Sequence, residues 1–531
     1  MKDTNMWQSV RNFKPWQALP RMLADFINVH LCMMGALATP LFYLALQHQN
    51  DRATTRLSEA MAYYSSSFVL LSPLFPLVFL LNGFYTNSRG YIGRYKKLVI
   101  LRGVSVSMLL FLAANFIFFR RTLVPRSVLL VFCGLAMLSL AFSRLVKGAL
   151  SDRFEIRPKN GKGDSPSERL VLVLGGAGYI GSILVRKLLE TGRKVRVLDS
   201  LVYGDGALRD ILRHPDLELK VGDCRKIQDV VGAVKGAESI VHLAAIVGDP
   251  ACEVDRQTSL QINYAATRML IEVARGNGIN RLVFASSCSV YGASDLLMDE
   301  NSTVKAVSLY GQTKIDSEEA LLDAHSDSFY PVILRLATVF GLSYRPRFDL
   351  VVNLLTAKAC AEGAITVFNG TQWRPFIHVR DVALGIVQVL EAPLSLIRGE
   401  IFNLGDTRMN HQLSEVAERI LTVFPNTKVE HTENSDRRNY RVSFDKIRHQ
   451  LGFECSLGLD DGIQELRRAF EEKQVLDYRD ALYYNQEFLK LLGSQSCKNE
   501  LDEHVMAAFA QAPTSNRNPA RLMAQAAGTE R

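Results

Sequence analysis

The sequence has little with which to build a disulfide framework or a structural zinc site. Its eight cysteines are scattered through 531 residues with no C-x-x-C pair and no Cys/His cluster. Reduced thiols in a cytosolic domain, and no metal, are therefore expected. No internal repeat is evident, which excludes a repeat architecture. The net charge of +8 does not by itself point to nucleic acid. Much of the basic excess lies beside apolar runs, in "RYKKL" and from Arg144 to Lys159, where anionic lipid headgroups are the more economical partner. A chain of this length is expected to contain more than one folding unit.

The two parts of the chain differ in character. Residues 1–150 carry long apolar runs at about Phe26–Leu46, Ala62–Phe84, Leu98–Phe119 and Ser127–Val146. Each is long and apolar enough to cross a bilayer, which takes roughly 20 helical residues. The first has no small-residue cleavage signature after it, which argues against a removable signal peptide. Four transmembrane helices are expected, with a buried helical bundle as the alternative. Lys2, Arg11, Lys14 and Arg21 precede the first run, Arg89, Arg94, Lys96 and Lys97 lie between the second and third, and Arg144, Lys147, Arg153, Arg157 and Lys159 follow the fourth. Basic residues accumulate in cytoplasmic loops, so both ends of this multi-pass segment, and everything after it, are expected on the cytoplasmic face of the inner membrane. Arg120, Arg121 and Arg126 run against that assignment. Asn28, His30 and Asn115 stand inside the runs, where they could meet a lipid-linked ligand or satisfy neighbouring helices. "GFYTNSRGYIGRYKKL" and "PRSVLLVFCGLAMLSLAFSR" resemble the membrane region that precedes the catalytic domain in polysaccharide-biosynthesis dehydratases and in initiating sugar-phosphate transferases.

A polar Gly/Ser/Pro linker, residues 151–168, leads into a second domain at 169–493, and a tail rich in Ala and polar residues, 494–531, reads as disordered. The domain opens with "RLVLVLGGAGYIGSILVRKLLETGRKVRVLDS": a buried strand, a glycine turn, a helix and a second strand. Gly175, Gly178 and Gly181, with Tyr179 and Ile180 between them, let the backbone approach a pyrophosphate at a helix N-terminus. Asp199 ends the second strand, where a carboxylate accepts hydrogen bonds from an adenosine ribose and repels a 2′-phosphate, favouring NAD over NADP. Asp223 and Cys224 follow the third strand, beside the expected adenine position. Leu243, Ala244 and Ala245 of "HLAA" let backbone pass close to the dinucleotide. Apolar runs at the expected rhythm argue for an α/β, Rossmann-type doubly wound parallel sheet with a smaller C-terminal substrate-binding subdomain.

Tyr310 and Lys314 in "YGQTK" share one helix face. An ammonium near a tyrosine favours its phenolate, so Lys314 can lower the hydroxyl's pKa from its usual value near 10. With "GGAGYIGS", "HLAA", "SSCSVYG", "YGQTK", "RPFIHVRDVA" and "DRRNYRVSFDKIRHQLGF", the domain resembles the extended short-chain dehydrogenase/reductase family, specifically NAD-dependent nucleotide-sugar epimerases and dehydratases. Leu174 departs from that pattern, standing where the family usually has threonine. The resemblance implies that Ser287 hydrogen-bonds the sugar hydroxyl that Tyr310 deprotonates. It implies that Arg374, with Arg437 or Arg438, clasps a nucleotide diphosphate, that Thr338 stands near it, and that Val247 edges the sugar pocket. His378 is expected to be structural. Where the dehydratases carry Asp and Glu after that serine, this chain has Cys288 and Ser289, which disfavours elimination and leaves 4-epimerisation through a transient 4-keto sugar. The expected substrate is a nucleotide-diphosphate sugar for polysaccharide or lipid-linked glycan assembly. Alternatives are a dehydratase or reductase, an epimerase of a polyprenyl-diphosphate sugar, and a non-catalytic NAD-binding scaffold. Membrane lipids are expected partners, nucleic acid is not, and a homodimer is implied by the resemblance.

Overall fold

The computed structural model describes residues 15–46, 50–81, 94–118, 125–154, 169–436 and 438–492. The chain divides into two compact units, Met1–Gly161 and Lys162–Arg531.

Among the described residues the first unit holds four helices, α1 (Pro15–Leu46), α2 (Asn50–Leu81), α3 (Arg94–Phe118) and α4 (Arg126–Phe154). Helix α4 continues past residue 150 into the segment read as linker. Residues spaced three and four apart build its core: Val29, Met33 and Leu37; Leu71, Phe75 and Phe79; Val104, Met108 and Phe111; Val128, Phe132 and Ala136. That period puts each set on one helix face. The expectation of four membrane-length spans needs correction. Among the described residues one helix, Met22–Tyr43, is long and apolar enough to cross. Helix α2 qualifies only as two pieces, Arg56–Val69 and Leu71–Phe79, meeting at 42°. Pro73 and Pro76 lie inside it, and Pro73 leaves the carbonyl of Val69 without its helical donor, which is a sufficient cause of the bend. Within α3 and α4, the apolar stretches among the described side chains are Gly103–Ala114 and Arg126–Ser139. His30 bridges to the neighbouring helix through Tyr64 Oη and Ser72 Oγ, each at 3.3 Å.

The second unit is built on a seven-stranded, all-parallel sheet. Its strands are β1 (Leu170–Leu174), β2 (Lys194–Asp199), β3 (Leu217–Val221), β4 (Ser239–His242), β5 (Arg281–Ser287), β6 (Tyr330–Leu336) and β7 (Ile401–Leu404). They lie in the order β7-β6-β5-β4-β1-β2-β3, so the order reverses between β1 and β4. In such sheets the crevice at the carboxyl ends of the strands around the reversal is where ligands bind. Strands β1, β4, β5 and β6 are almost wholly buried, as expected where helices cover both faces. A smaller lobe is formed by short sheets pairing Thr338–Phe340, Trp373–His378 and Asn410–Gln412, and Ala364–Phe368 with Lys428–Thr432. Its core contains Phe340, Val352, Phe376, Val416, Ile420 and Ile463. The tail 494–531, most of the linker and Arg437 lie outside the described residues.

Candidate active site

The glycine turn sits between β1 and helix α5 (Tyr179–Glu190). Gly175 has φ +82°, and a Cβ there would come 2.7 Å from Ala244 N; a Cβ on Gly181 would come 2.2 Å from Gly175 O. Only glycine permits this approach of α5 to the ends of β1 and β4. Gly178 caps α5 with no side-chain bond, so the amides of its first turn keep the unpaired character of any helix start. Asp199 accepts the amides of Ala177 at 2.9 Å and Leu201 at 2.8 Å. Burial pushes its carboxyl above the ordinary range, and these two amides oppose the shift. An anion cradle, a close backbone pass at Ala244 and a carboxylate at the end of β2 together fit a dinucleotide. Tyr179 points elsewhere: its hydroxyl donates to Gly341 O at 2.7 Å, so its part in the turn is that of its backbone. Ile180 packs half-buried against the core, and Leu243 extends the sheet by donating to Leu174 O at 2.9 Å. Burial would raise the Asp223 carboxyl, but Arg225, at 2.6 Å, outweighs it and holds it below the usual range. The neighbouring Cys224 thiol is pushed up to about 12, chiefly by burial. Ala245 stays half-buried at the end of β4.

Helix α6 (Leu309–Ala324) is started by Ser308, whose Oγ accepts from Gly311 N at 3.2 Å. Tyr310, Lys314 and Glu318 recur every four residues, so one face of α6 presents all three to β5. Tyr310 faces Ser287, which eases ionisation of the phenol. Lys314 Nζ donates to Ala285 O at 2.7 Å, and Ser286 Oγ donates to Glu318. The result is a ladder, three helix positions against three consecutive strand residues. Glu318 is closed by a buried ion pair with Arg335 at 2.7 Å. Arg335 Nη1 also donates to Tyr291 Oη at 2.9 Å, and Tyr291 donates in turn to Asn403 Oδ1 at 2.8 Å.

The electrostatics differ from the simple expectation. Burial raises the Tyr310 hydroxyl above its ordinary value; Arg347 and Ser287 oppose that rise. Lys314, 4% exposed, has its ammonium lowered to about 8, also by burial. Its Nζ lies 5.7 Å from the centre of the Tyr310 ring and 4.6 Å from that of Phe284. Arg347 is a cation that eases ionisation of the phenol, against Cys252 and Asp249, which oppose it. Arg347 is itself held by Asp349 at 2.8 and 2.9 Å. His242 is buried and brought down to about 3, by burial first and by Lys314 second. It is therefore a neutral core histidine.

Ser287 Oγ accepts from Ser289 Oγ at 2.9 Å and Ser289 N at 3.2 Å, which fixes the turn after β5. Cys288 points away: its Sγ donates to Arg335 O at 3.3 Å, and burial raises its thiol well above the ordinary value. It packs rather than reacts.

At the other end Arg374 is buried and donates to Gln372 Oε1 at 3.1 Å, Asp436 Oδ2 at 3.3 Å and the carbonyl of Arg438. Arg438 pairs with Asp436 at 2.6 Å and Asp249 at 3.2 Å. The two guanidinium groups therefore share one corner. Thr338 pairs in register with Phe376, two residues along the strand from Arg374. Val247 O accepts from Asn485 Nδ2 at 2.9 Å. His378 is structural, bonding Glu465 Oε2 at 3.0 Å beneath Gly341. Glu318, Arg347, Asn263 and Asn485 were missed from the sequence. Glu318 was recoverable from its spacing to Tyr310. Asn263, which holds Ile246 through its N at 2.8 Å and its O at 2.9 Å, carries no local signature.

Residues 171–405 match the NAD dependent epimerase/dehydratase family. The chain is 28% identical over 345 residues to the UDP-glucose 4-epimerase of Bacillus subtilis, covering 59% of this chain and 99% of that protein. It is 29% identical over 307 residues to a putative UDP-glucose 4-epimerase of Methanocaldococcus jannaschii, covering 56% and 97%. Among solved structures, MoeE5 in complex with UDP-glucuronic acid and NAD is 28% identical with a TM-score of 0.50, covering 57% of this chain and 99% of that one. DesIV, a dTDP-glucose 4,6-dehydratase of Streptomyces venezuelae solved with NAD, is 25% identical with a TM-score of 0.53, covering 57% and 98%. The glycine cradle, Asp199 and the Ser287, Tyr310 and Lys314 group lie within the matched span, and residues 171–405 are accordingly a domain of the NAD-dependent epimerase/dehydratase family, with NAD as its cofactor.

Proposed function

We propose that the protein is a membrane-anchored nucleotide-sugar 4-epimerase acting in polysaccharide or lipid-linked glycan assembly. The observation that carries this reading is the turn after β5. Ser287 faces Tyr310, while the next two positions offer a buried thiol turned to Arg335 O and a serine hydroxyl. Expelling water from a sugar needs an acid and a base at the neighbouring carbon, and neither side chain serves. Glu318, the carboxylate on the same helix face, is committed to Arg335. NAD, when bound, supplies a reversible hydride acceptor. Tyr310 takes the proton of the sugar 4-hydroxyl, with Ser287 sharing it, and returns it after the keto sugar has turned over. No net redox change results. Arg374 and Arg438 supply forked donors suited to a diphosphate, and Val247 edges the sugar.

The relatives named as UDP-glucose 4-epimerases and the structure holding a UDP-sugar support this substrate class. Membrane attachment is supported by the outside of the N-terminal unit, where Leu23, Ile27, Leu31, Phe42, Leu109, Phe116, Leu130 and Leu138 are exposed around an already complete core. A bundle in water would cover that face with polar groups. The same observation favours, as a second reading, a polyprenyl-diphosphate sugar as substrate. Incubating the detergent-solubilised protein with UDP-, dTDP- and GDP-sugars and with extracted lipid-linked sugar, with products read by NMR, tests both. Inversion at C4 without change in NADH absorbance is expected, whereas a 4-keto-6-deoxy product would overturn the epimerase reading.

A further inference from the structure

We propose that helix α7 (Asn485–Leu492) is a latch on the catalytic pocket, and that Asn485 is a positioning residue holding the Val247 edge and the Arg345–Asp349 segment in one arrangement. The proposal rests on the epimerase reading only for the meaning of the pocket. Helix α7 lies beyond the span matched to the family, which ends at residue 405.

Asn485 is 5% exposed, and its polar groups are used on segments far away in sequence. Its Nδ2 donates to Val247 O at 2.9 Å, its Oδ1 accepts from Arg345 Nη2 at 2.8 Å, and its backbone N donates to Asp349 Oδ2 at 3.3 Å. Those contacts span 238, 140 and 136 residues. One amide side chain thus ties the loop after β4 to the segment after the Thr338–Phe340 strand.

The surrounding contacts tighten the same joint. Arg345 Nη2 also donates to Leu482 O at 3.3 Å, and Phe348 N donates to Tyr483 O at 3.1 Å. The Arg345 guanidinium lies 3.7 Å from the centre of the Tyr203 ring, and Phe488 of α7 packs on that ring at 5.0 Å. Tyr203 follows β2, the strand that ends in Asp199. The segment after β2, the loop after β4 and the Arg345–Asp349 segment therefore meet α7.

The functional consequence runs through Asp349. That carboxylate accepts from Asn485 N on one side and grips Arg347 on the other, at 2.8 and 2.9 Å. Arg347 is the cation that opposes the burial-driven rise at Tyr310. Loosening α7 therefore acts on two things at once: where the sugar edge lies and how readily Tyr310 gives and takes a proton. Small displacements of this kind cost large factors in rate, of the order of a hundredfold per ångström.

The test uses the full-length protein in detergent. Asn485→Ala is compared with wild type and with Leu491→Ser, an exposed position on the same helix. Asn485→Ala is expected to raise KM for the nucleotide sugar, to lower kcat by roughly tenfold or more, and to move the alkaline rise of the kcat–pH profile upward. Leu491→Ser should change none of these. Hydrogen exchange at residues 246–250 and 343–349 should quicken together in Asn485→Ala, a readout that needs no turnover. Unchanged pH profile and unchanged exchange in both segments would overturn the latch. Wild type inactive on every nucleotide sugar, with exchange still coupled, would sink the epimerase reading and leave the latch standing. If Asn485→Ala does not fold, Phe488→Leu, which removes only the packing on Tyr203, is expected to give the same changes in smaller measure; no change in that variant would likewise overturn the proposal.

Discussion

At the scale of single residues, the site places two titratable groups against their own solvation. Tyr310 is kept protonated by burial and Lys314 is brought down to about 8. Tyr310→Phe removes the proton-transferring oxygen and should lower kcat by about 10²–10⁴-fold with little change in NAD retention, checked by NMR turnover and by cofactor fluorescence. Lys314 has an ordinary pKa of 10.5 and a folded value of about 8. The unfolded chain therefore holds a proton that the folded chain releases between those values, and stability rises with pH across that window. Below pH 8 the full cost, about 3 kcal/mol at 1.36 kcal/mol per unit, is present. Lys314→Met should accordingly raise the thermal midpoint at pH 7 while abolishing turnover, with the gain shrinking toward pH 10; calorimetry at both pH values checks it. That Tyr310 and Lys314 share a helix face is legible in the sequence because a four-residue spacing is local, whereas the part given to Ser287 is what the family resemblance implies. Arg347 and Asn485 were not legible, since their partners at Tyr310 and Val247 are brought near only by the fold. The role given to Lys314 was half legible: its position follows from spacing, but its effect on Tyr310 depends on burial, which spacing does not report.

At the scale of elements, helix α6 and strand β5 are locked by a ladder of unlike bonds. A phenol meets Ser287, an ammonium meets Ala285 O, and a carboxylate meets Ser286 and Arg335. The lowest rung does not touch the reacting atoms but sets how α6 lies along β5. Glu318→Gln leaves Arg335 buried without its counter-charge, and breaking one side of a buried pair costs about 3–5 kcal/mol. The variant should lose that much in urea unfolding of the catalytic domain, and its kcat should fall more than its KM rises. Glu318→Gln with Arg335→Met removes the stranded charge and should recover most of the stability without recovering kcat. The strands of the parallel sheet were readable as apolar runs because burial on both faces leaves no room for polar residues. The bend in α2 was readable only in part. Pro73 and Pro76 were visible in the sequence, but a hydropathy run shows no break where a helix turns by 42°.

At the scale of the whole molecule, the proposed membrane attachment raises the question of which side the catalytic domain would face. Helix α1 is long and apolar enough to cross, and α2 qualifies as a bent pair. Helices α3 and α4, of 25 and 29 residues, rise about 37 and 43 Å at 1.5 Å per residue, against a hydrocarbon core of about 30 Å. If α1 and α2 both cross, the side of the catalytic domain depends on α3 and α4 as a pair: with both crossing or neither, the number of crossings is even, and the domain after residue 161 would lie on the side of the basic N-terminal residues Lys2, Arg11, Lys14 and Arg21. Only an odd count would reverse it. Basic residues are retained on the cytoplasmic side, so an impermeant protease should reach the catalytic domain in inverted membrane vesicles and spare it in right-side-out ones. The chain should also stay with the membrane through washes in high salt and in alkaline carbonate. Salt screens attraction between charges beyond about 3 Å at 1 M but does not weaken burial of exposed leucine and phenylalanine in lipid. Release by salt alone would show that the basic segments, and not the apolar helices, hold the protein there. Protection in inverted vesicles would instead require an odd number of crossings and would place the pocket away from cytosolic nucleotide sugars.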